Sequence, residues 1–69
     1  MIDRKVFGKI LKKARMQLGV SMYRLAKDIP ISYEVVSYLE KNKFAPSYIT
    51  LQKLVNYFKK KGIDLEKIS

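Results

Sequence analysis

The sequence predicts a compact all-α fold of four to five short helices. Apolar residues recur at intervals of three and four along most of the chain, which is the spacing of one helix face. Short polar residues that cap helix starts precede four of these runs, and glycines follow two of them. No stretch alternates convincingly between apolar and polar residues, as a half-buried strand would. With 69 residues, the chain has room for a single domain, residues 1–69.

The first helix is predicted over about residues 3–18 and ends at Gly19, which tolerates the left-handed conformation. Its apolar face comprises Val6, Phe7, Ile10, Leu11, Ala14 and Leu18. The opposite, polar face comprises Lys5, Lys9, Lys12, Lys13 and Gln17.

Two shorter helices are predicted next, each preceded by a serine. Ser21 would cap a helix that reaches about Asp28, and Ser32 would cap one that ends near Lys41. Leu25, Ala26 and Ile29 lie on one face of the first of these helices. Leu25 would form a shared core with Val36 and Leu39 of the second, and the small Ala26 would let the two helices cross closely. A loop then covers residues 42–46.

The turn between these helices contains Pro30. Because Ile29 precedes a proline, we expect its backbone to lie outside the α region. Proline is fixed near φ −65°, so the turn cannot use a residue with positive φ at this position. Asn42, which follows the third helix, tolerates the left-handed region.

A fourth helix and a short final turn complete the prediction. Ser47 would cap the helix, which ends at Gly62, and Asp64 would cap the turn. The apolar residues of the helix are Leu51, Leu54, Val55 and Phe58, and those of the turn are Leu65 and Ile68.

Composition limits the possible functions. Lys and Arg total 15 against 6 acidic residues, a formal net charge of +9 that favours nucleic acid as partner over an acidic membrane surface. Ordinary solvation of a lysine-rich surface is the alternative explanation. The chain has no Cys and no His, so the usual zinc ligands and the commonest general base are missing. With no nucleophile–base set and no Gly-rich phosphate loop, we expect no enzyme, no metal and no cofactor.

We expect neither a signal peptide nor a membrane-spanning helix in this sequence. Charged residues interrupt the N-terminal apolar residues, unlike a signal peptide, and no apolar stretch approaches the roughly 18 residues of a membrane span. We therefore expect a soluble, intracellular, cytoplasmic protein without a membrane partner.

An ordered set of residues extends from position 15 to position 47. It reads Arg15-x-x-x-Gly19-Val20-Ser21-x-x-x-Leu25-Ala26, then Ile31-Ser32-x-x-x-Val36-Ser37-x-Leu39-Glu40, then Pro46-Ser47. This set resembles the lambda-repressor-like (Cro-type, XRE-like) helix-turn-helix family, over about residues 7–66. The resemblance implies a lambda-repressor-like DNA-binding domain whose helix-turn-helix covers about residues 21–41.

The third helix offers an outward stripe opposite Val36 and Leu39. The resemblance places this helix in the major groove of double-stranded DNA, with candidate base-reading residues Tyr33, Glu34, Ser37 and Tyr38. The stripe lacks Arg, Asn and Gln, the side chains best suited to bidentate base contacts, so DNA shape would contribute to recognition. Alternatively, the tyrosines merely cover a small core, and Glu34 complements the helix dipole.

Phosphate contacts are predicted at helix starts and at the exit of the third helix. Free N–H groups at helix starts suit phosphate oxygens, and lysines suit them as cations. The candidate phosphate-binding residues are Ser21, Ser32, Lys41, Asn42, Lys43 and Ser47. The alternative for either lysine is an ordinary solvated side chain.

The resemblance also implies an ion pair and a dimer. Arg15 and Glu40 would meet between the first and third helices, where a guanidinium can hold a carboxylate with two hydrogen bonds. A homodimer would bind a roughly palindromic operator. We expect its contact in the C-terminal segment, where Ile63, Leu65 and Ile68 are poorly provided with partners within one chain.

The sequence thus favours a sequence-specific transcriptional regulator, a Cro-type repressor that occupies an operator. Two other functions stay open. One is a protein-interaction module on the same fold, for example an antitoxin that binds a protein partner. The other is a protein that binds nucleic acid nonspecifically through charge alone.

Overall fold

The computed structural model describes residues 6–68, and within that range all regular secondary structure is helical, without strands. The helices are α1 (Phe7–Leu18), α2 (Met22–Asp28), α3 (Tyr33–Glu40) and α4 (Tyr48–Lys60), followed by a 3₁₀ turn (Leu65–Lys67). The prediction of an all-α fold with four helices and a final turn is therefore confirmed.

Helix starts are fixed by side chains at the predicted positions. The Oγ atoms of Ser21, Ser32 and Ser47 accept hydrogen bonds from backbone N–H groups three residues later, at 3.0–3.2 Å. Asp64 caps the 3₁₀ turn through the N–H of Glu66. Such caps satisfy donors that a helix start leaves without partners.

The first helix begins later than predicted. It starts at Phe7, and Val6 belongs to the preceding turn and is exposed, so Val6 is not part of the core. Residues 3–5 of the predicted helix lie outside the described residues. Val6 offers no side-chain cap, and the first turn of α1 holds no acidic residue that would favour the helix dipole there.

Three helices end in a left-handed residue. Gly19 and Gly62 have φ of 78° and 84°, and Asn42 has φ 57°. In each case the next residue's N–H bonds back to the last turn, as in the pair Ile63 to Phe58 at 2.9 Å. The predicted tolerance of Asn42 for this conformation is confirmed.

The turn between α2 and α3 differs from the prediction at one residue. Ile29 precedes Pro30 yet keeps an α-helical conformation, with φ −75° and ψ −27°, so the expectation that it leaves the α region is wrong. The backbone N–H of Ile29 still donates to the carbonyl oxygen of Leu25. Pro30 has no N–H to donate, and the N–H of the next residue, Ile31, donates to the carbonyl oxygen of Ala26 at 2.8 Å. Ile29 is also buried in the core. Packing and these hydrogen bonds outweigh the steric preference before a proline.

One core joins all the elements. Its buried side chains are Phe7, Ile10, Leu11, Ala14, Leu25, Ala26, Ile29, Val36, Leu39, Leu54, Phe58, Ile63 and Leu65. The predicted shared core of α2 and α3 is confirmed in full. Because α3 packs on both α1 and α2, its position is set by two neighbours.

The C-terminal segment is satisfied within one chain. The 3₁₀ turn packs on α1 and α4, which buries Leu65 completely and leaves Ile63 only 9% exposed. Ile68 is half-buried against the same core. The expectation that Ile63, Leu65 and Ile68 lack partners is therefore wrong, and with it the reason for placing a dimer contact there.

Candidate nucleic-acid interface

The outward stripe of α3 lies at the surface, as its spacing predicts. Tyr33 and Tyr38 are 44% and 41% exposed, and Glu34 and Lys41 are exposed as well. Ser37 is half-buried between them. The opposite face is fully buried, since Val36 and Leu39 have no exposed area. The helix thus presents two hydroxyls of tyrosine, one of serine and one carboxylate on a fixed support.

Tyr38 belongs to a small cluster at the end of this stripe. Phe44 meets its ring edge to face, with centroids 6.0 Å apart and planes at 73°. The ammonium of Lys43 lies 5.9 Å from the same ring centroid, within range of a cation–π contact. Phe44 is itself 47% exposed. This cluster restrains Tyr38 without burying it, and Phe44 was not among the predicted site residues.

Arg15 connects three parts of the fold behind the stripe. Its Nε donates to Oε2 of Glu40 at 2.6 Å and its Nη2 donates to Oε1 at 3.1 Å. Its Nη1 donates to the backbone oxygen of Val20, just ahead of α2, at 2.9 Å. The side chains of Arg15 and Glu40 are only 14% and 6% exposed. The hydrogen bonds that Arg15 donates to Glu40 raise the pKa of Arg15.

The exit of α3 is held by a second contact with α1. Oδ1 of Asn42 accepts a hydrogen bond from the backbone N–H of Gly8 at 2.9 Å. A Cβ atom on Gly8 would lie 2.6 Å from the backbone oxygen of Leu39 and 2.7 Å from that of Glu40. Only glycine allows α1 to approach α3 this closely. Neither the role of Gly8 nor this bond was predicted from the sequence.

The predicted phosphate-binding residues occupy helix ends. Ser21, Ser32 and Ser47 are exposed at the starts of three helices, where their Oγ atoms are used in capping. Ser47 also donates its hydroxyl proton to Oγ1 of Thr50 at 3.0 Å. Lys41 and Lys43 are exposed on either side of Asn42. Asn42 lies between them, and its Oδ1 accepts from Gly8.

A further polar network lies on the outer side of α2. Nε of Arg24 donates to both carboxylate oxygens of Asp28 at 3.1 Å, and the hydroxyl of Tyr57 on α4 donates to Oδ2 of Asp28 at 3.1 Å. The Arg24 hydrogen bond lowers the pKa of Asp28, and burial together with the bond to Asp28 raises the pKa of Tyr57. The spacing of Arg24 and Asp28 is visible in the sequence, whereas the contact with Tyr57 is not.

Among residues 6–68, no group of three His, Cys, Asp or Glu side chains lies together in a way that could hold a metal ion. Within the same range, every helix is too short or too polar to span a bilayer.

Comparison with known proteins identifies the arrangement. A family model described as helix-turn-helix matches residues 11–65, most of the chain. No curated protein and no solved structure matches it. The matched residues include α2, the Pro30 turn and α3, together with Arg15 and Glu40. The chain belongs to the lambda-repressor-like (XRE-like) helix-turn-helix family, a family of DNA-binding regulators and not of enzymes.

Proposed function

We propose that this chain is a sequence-specific regulator of transcription that binds double-stranded DNA, a Cro-type repressor that occupies an operator. The observation that carries the proposal is the stripe of Tyr33, Glu34, Ser37 and Tyr38. These side chains are exposed or half-exposed on a helix that two separate contacts brace from behind. A rigid helix with polar groups on its outer face can enter the major groove and form bonds with base edges.

Charge supports the same partner. The net charge of +9 attracts a polyanion and would hasten association with DNA. Lys41 and Lys43 follow directly after α3, so in the proposed complex they bind the phosphates beside the bases that the helix contacts. At the helix starts, Ser21 and Ser32 would add hydroxyl donors, and the first residues after Ser21, Ser32 and Ser47 would add backbone N–H donors to phosphates.

The proposed repressor acts as a homodimer on DNA. A single module of this size buries too little surface on DNA for tight specific binding. Two copies on half-sites about 34 Å apart would double the buried surface. Buried Ile63 and Leu65 cannot form the contact. Phe44, Tyr48 and Ile49 can, because they are 47%, 75% and 68% exposed within six residues of one another. They follow α3 directly, so a contact through them would set the spacing of the two recognition helices.

Binding selection on random duplex DNA, repeated at two salt concentrations, tests the proposal. An enriched motif that survives the higher salt supports a sequence-specific regulator. Uniform binding that collapses at the higher salt indicates a nonspecific nucleic-acid binder. Footprinting of the enriched sequence should show two protected half-sites, and one short half-site would exclude the dimer. A reporter gene placed behind the enriched site should be silenced if the protein is a repressor.

One observation favours a second candidate function, a protein-interaction module. The stripe contains no Arg, Asn or Gln, so it lacks the side chains that recognise guanine or adenine with two hydrogen bonds. Tyrosines on a rigid support are common in protein contacts. Absence of DNA binding in the selection, at either salt concentration, would favour this function.

A further inference from the structure

An open groove runs along the outer side of α1. Its volume is about 590 Å³, and its apolar lining consists of Val6, Ile10, Met16 and Ile68. Three lysines line it as well, namely Lys9, Lys12 and Lys13. Met16 is 63% exposed and Val6 41%, so the groove presents apolar surface to solvent. From Val6 to Met16 the groove follows α1 for about 15 Å, the length of three helical turns.

The chemistry of this groove differs from that of the α3 stripe. A phosphate backbone offers charge but little apolar surface, so it would leave the apolar floor of the groove uncovered. A helix with apolar residues at positions i, i+3, i+4 and i+7 would cover the floor, and carboxylates beside them would reach Lys9 and Lys12. We propose that the groove binds an acidic amphipathic helix of a partner protein.

A second copy of this chain fits the groove poorly. In a two-fold symmetric contact the same patch meets itself, so the lysines of one groove would face the lysines of the other. Like charges brought together across an interface are unfavourable. An acidic partner turns the same lysines into attractive contacts.

The groove and the α3 stripe can be occupied together. Gly8 and Arg15 face α3, since they bond with Asn42 and Glu40. Around the axis of α1, Lys13 points about 140° and Lys9 about 100° away from Gly8, whereas Lys12 lies only about 40° from it, because each residue turns the helix by about 100°. The centre of the groove therefore points away from α3, so the acidic partner and the proposed DNA site would be bound together, which would make the protein an adaptor between them.

The test uses a defined probe and matched variants of the full chain. The probe is a fluorescent 14-residue synthetic helix with leucines on one face and glutamates beside them, compared with a scrambled peptide of equal composition. Met16→Asp and Lys12→Glu change groove residues. Asn56→Asp and Lys60→Glu make the same charge changes at exposed positions of α4. Fluorescence anisotropy is measured without DNA, so the result does not depend on the proposed DNA-binding function, and melting curves establish that each variant is folded.

We expect both groove variants to weaken peptide binding at least about tenfold, and both α4 variants to change it less than about twofold. The scrambled peptide should bind as weakly to the unaltered protein as the helical peptide binds to the groove variants. Equal binding of the two peptides, or equal losses in groove and α4 variants, would reduce the interaction to net charge and overturn the proposal. A dimer in sedimentation that Met16→Asp dissociates would assign the groove to a second copy. Binding that appears only in Ile2→Asp would assign it to the chain's own N-terminal residues.

Discussion

The backbone N–H of Gly8, in the first turn of α1, donates to the side chain of Asn42, the left-handed residue that ends α3. This bond connects residues 34 positions apart and occurs where the two helices come closest. Gly8 contributes a donor that a helix start leaves without a partner. Asn42 contributes both the backbone conformation and the acceptor. The bond therefore fixes the end of α3 that is adjacent to Lys41 and Lys43.

Replacing Gly8 with alanine should destabilise the protein, although alanine is the better helix former. The new Cβ would meet two backbone oxygens that cannot turn aside, so we expect a loss of about 1–3 kcal/mol in the free energy of unfolding. Asn42→Gly keeps the left-handed conformation and removes the acceptor, and should cost about 1 kcal/mol. Urea unfolding measures both. A stabilised Gly8→Ala variant, as helix propensity alone would give, would contradict the close approach.

The Arg15–Glu40 pair should be strongly coupled. Either alanine substitution leaves a largely buried charge without its partner, and Arg15→Ala also leaves the oxygen of Val20 unpaired. We expect each to cost about 2–4 kcal/mol and the double variant to cost clearly less than their sum. Arg15→Lys should not restore stability, because an ammonium cannot form the paired hydrogen bonds. A double-mutant cycle from urea unfolding gives the coupling.

The chain contains a matched control for that cycle. Arg24 and Asp28 form a similar two-bond contact, but the Arg24 side chain is 67% exposed. Because water and salt screen an exposed pair, the coupling in the Arg24→Ala and Asp28→Ala cycle should be much the smaller. Additive losses for Arg15 and Glu40, within about 0.3 kcal/mol, would mean that their contact contributes nothing specific.

The parts of the fold that depend on local chemistry could be predicted from the sequence. Ser21, Ser32 and Ser47 cap the helices that they were expected to cap, and Gly19 ends α1 in the left-handed conformation. Apolar spacing identified the buried faces of α2 and α3. These features involve residues at most four positions apart, so their spacing in the sequence is enough to predict them.

The parts that depend on distant contacts could not be predicted in this way. Gly8 is one of three scattered glycines until α3 is placed beside it. Phe44 reads as a loop residue, yet its ring restrains Tyr38. The sequence does not reveal the partners of Ile63 and Leu65, because α1 and α4 become their neighbours only when the last turn folds back. Arg15 and Glu40 were paired through the family resemblance, since their spacing of 25 residues indicates nothing alone.

The Asp28 network should make stability depend on pH in the acid range. Its hydrogen bonds with Arg24 and Tyr57 lower the pKa of Asp28 from about 3.8 in the unfolded chain. The charged carboxylate therefore stabilises the fold above pH 3.8, and this contribution disappears as the pH falls through the lower pKa of the folded state. The melting temperature of Asp28→Asn should lie below that of the unaltered protein at pH 6 and approach it near pH 2. High salt should shrink the difference, and a pH-independent difference would contradict this origin.

Lys43 should act on DNA through its charge. In the proposed complex it binds a phosphate, so Lys43→Ala should weaken binding to the selected site and to random DNA by similar factors. The slope of log affinity against log salt should become shallower by about one unit. Lys60→Ala, at the end of α4, is the control and should leave the slope nearly unchanged. A changed sequence preference with an unchanged slope would instead place Lys43 at a base.

The last prediction concerns the reading surface of α3 itself. Tyr33→Ala and Tyr38→Ala should each cost about 1–3 kcal/mol on the selected site and much less on random DNA, because base contacts form only where the bases match. Glu34→Gln should relax or change the preference at one base pair. It should also raise affinity for random DNA, since a negative charge leaves a surface that faces phosphates.

Conservative variants separate the parts of each tyrosine. Tyr33→Phe and Tyr38→Phe keep the ring and remove the hydroxyl. If phenylalanine lowers affinity for the selected site as much as alanine does, the tyrosine acts through a hydrogen bond. If phenylalanine does not lower affinity, the tyrosine acts through packing of its ring. For Tyr38 the ring also meets Phe44 and Lys43, so Tyr38→Phe preserves that cluster while Tyr38→Ala dissolves it. Asn56→Ala, on the exposed side of α4, serves as the control without effect. Equal losses on selected and random DNA for Tyr33→Ala, Tyr38→Ala and Glu34→Gln would remove α3 from base recognition and leave it a role in phosphate or protein binding.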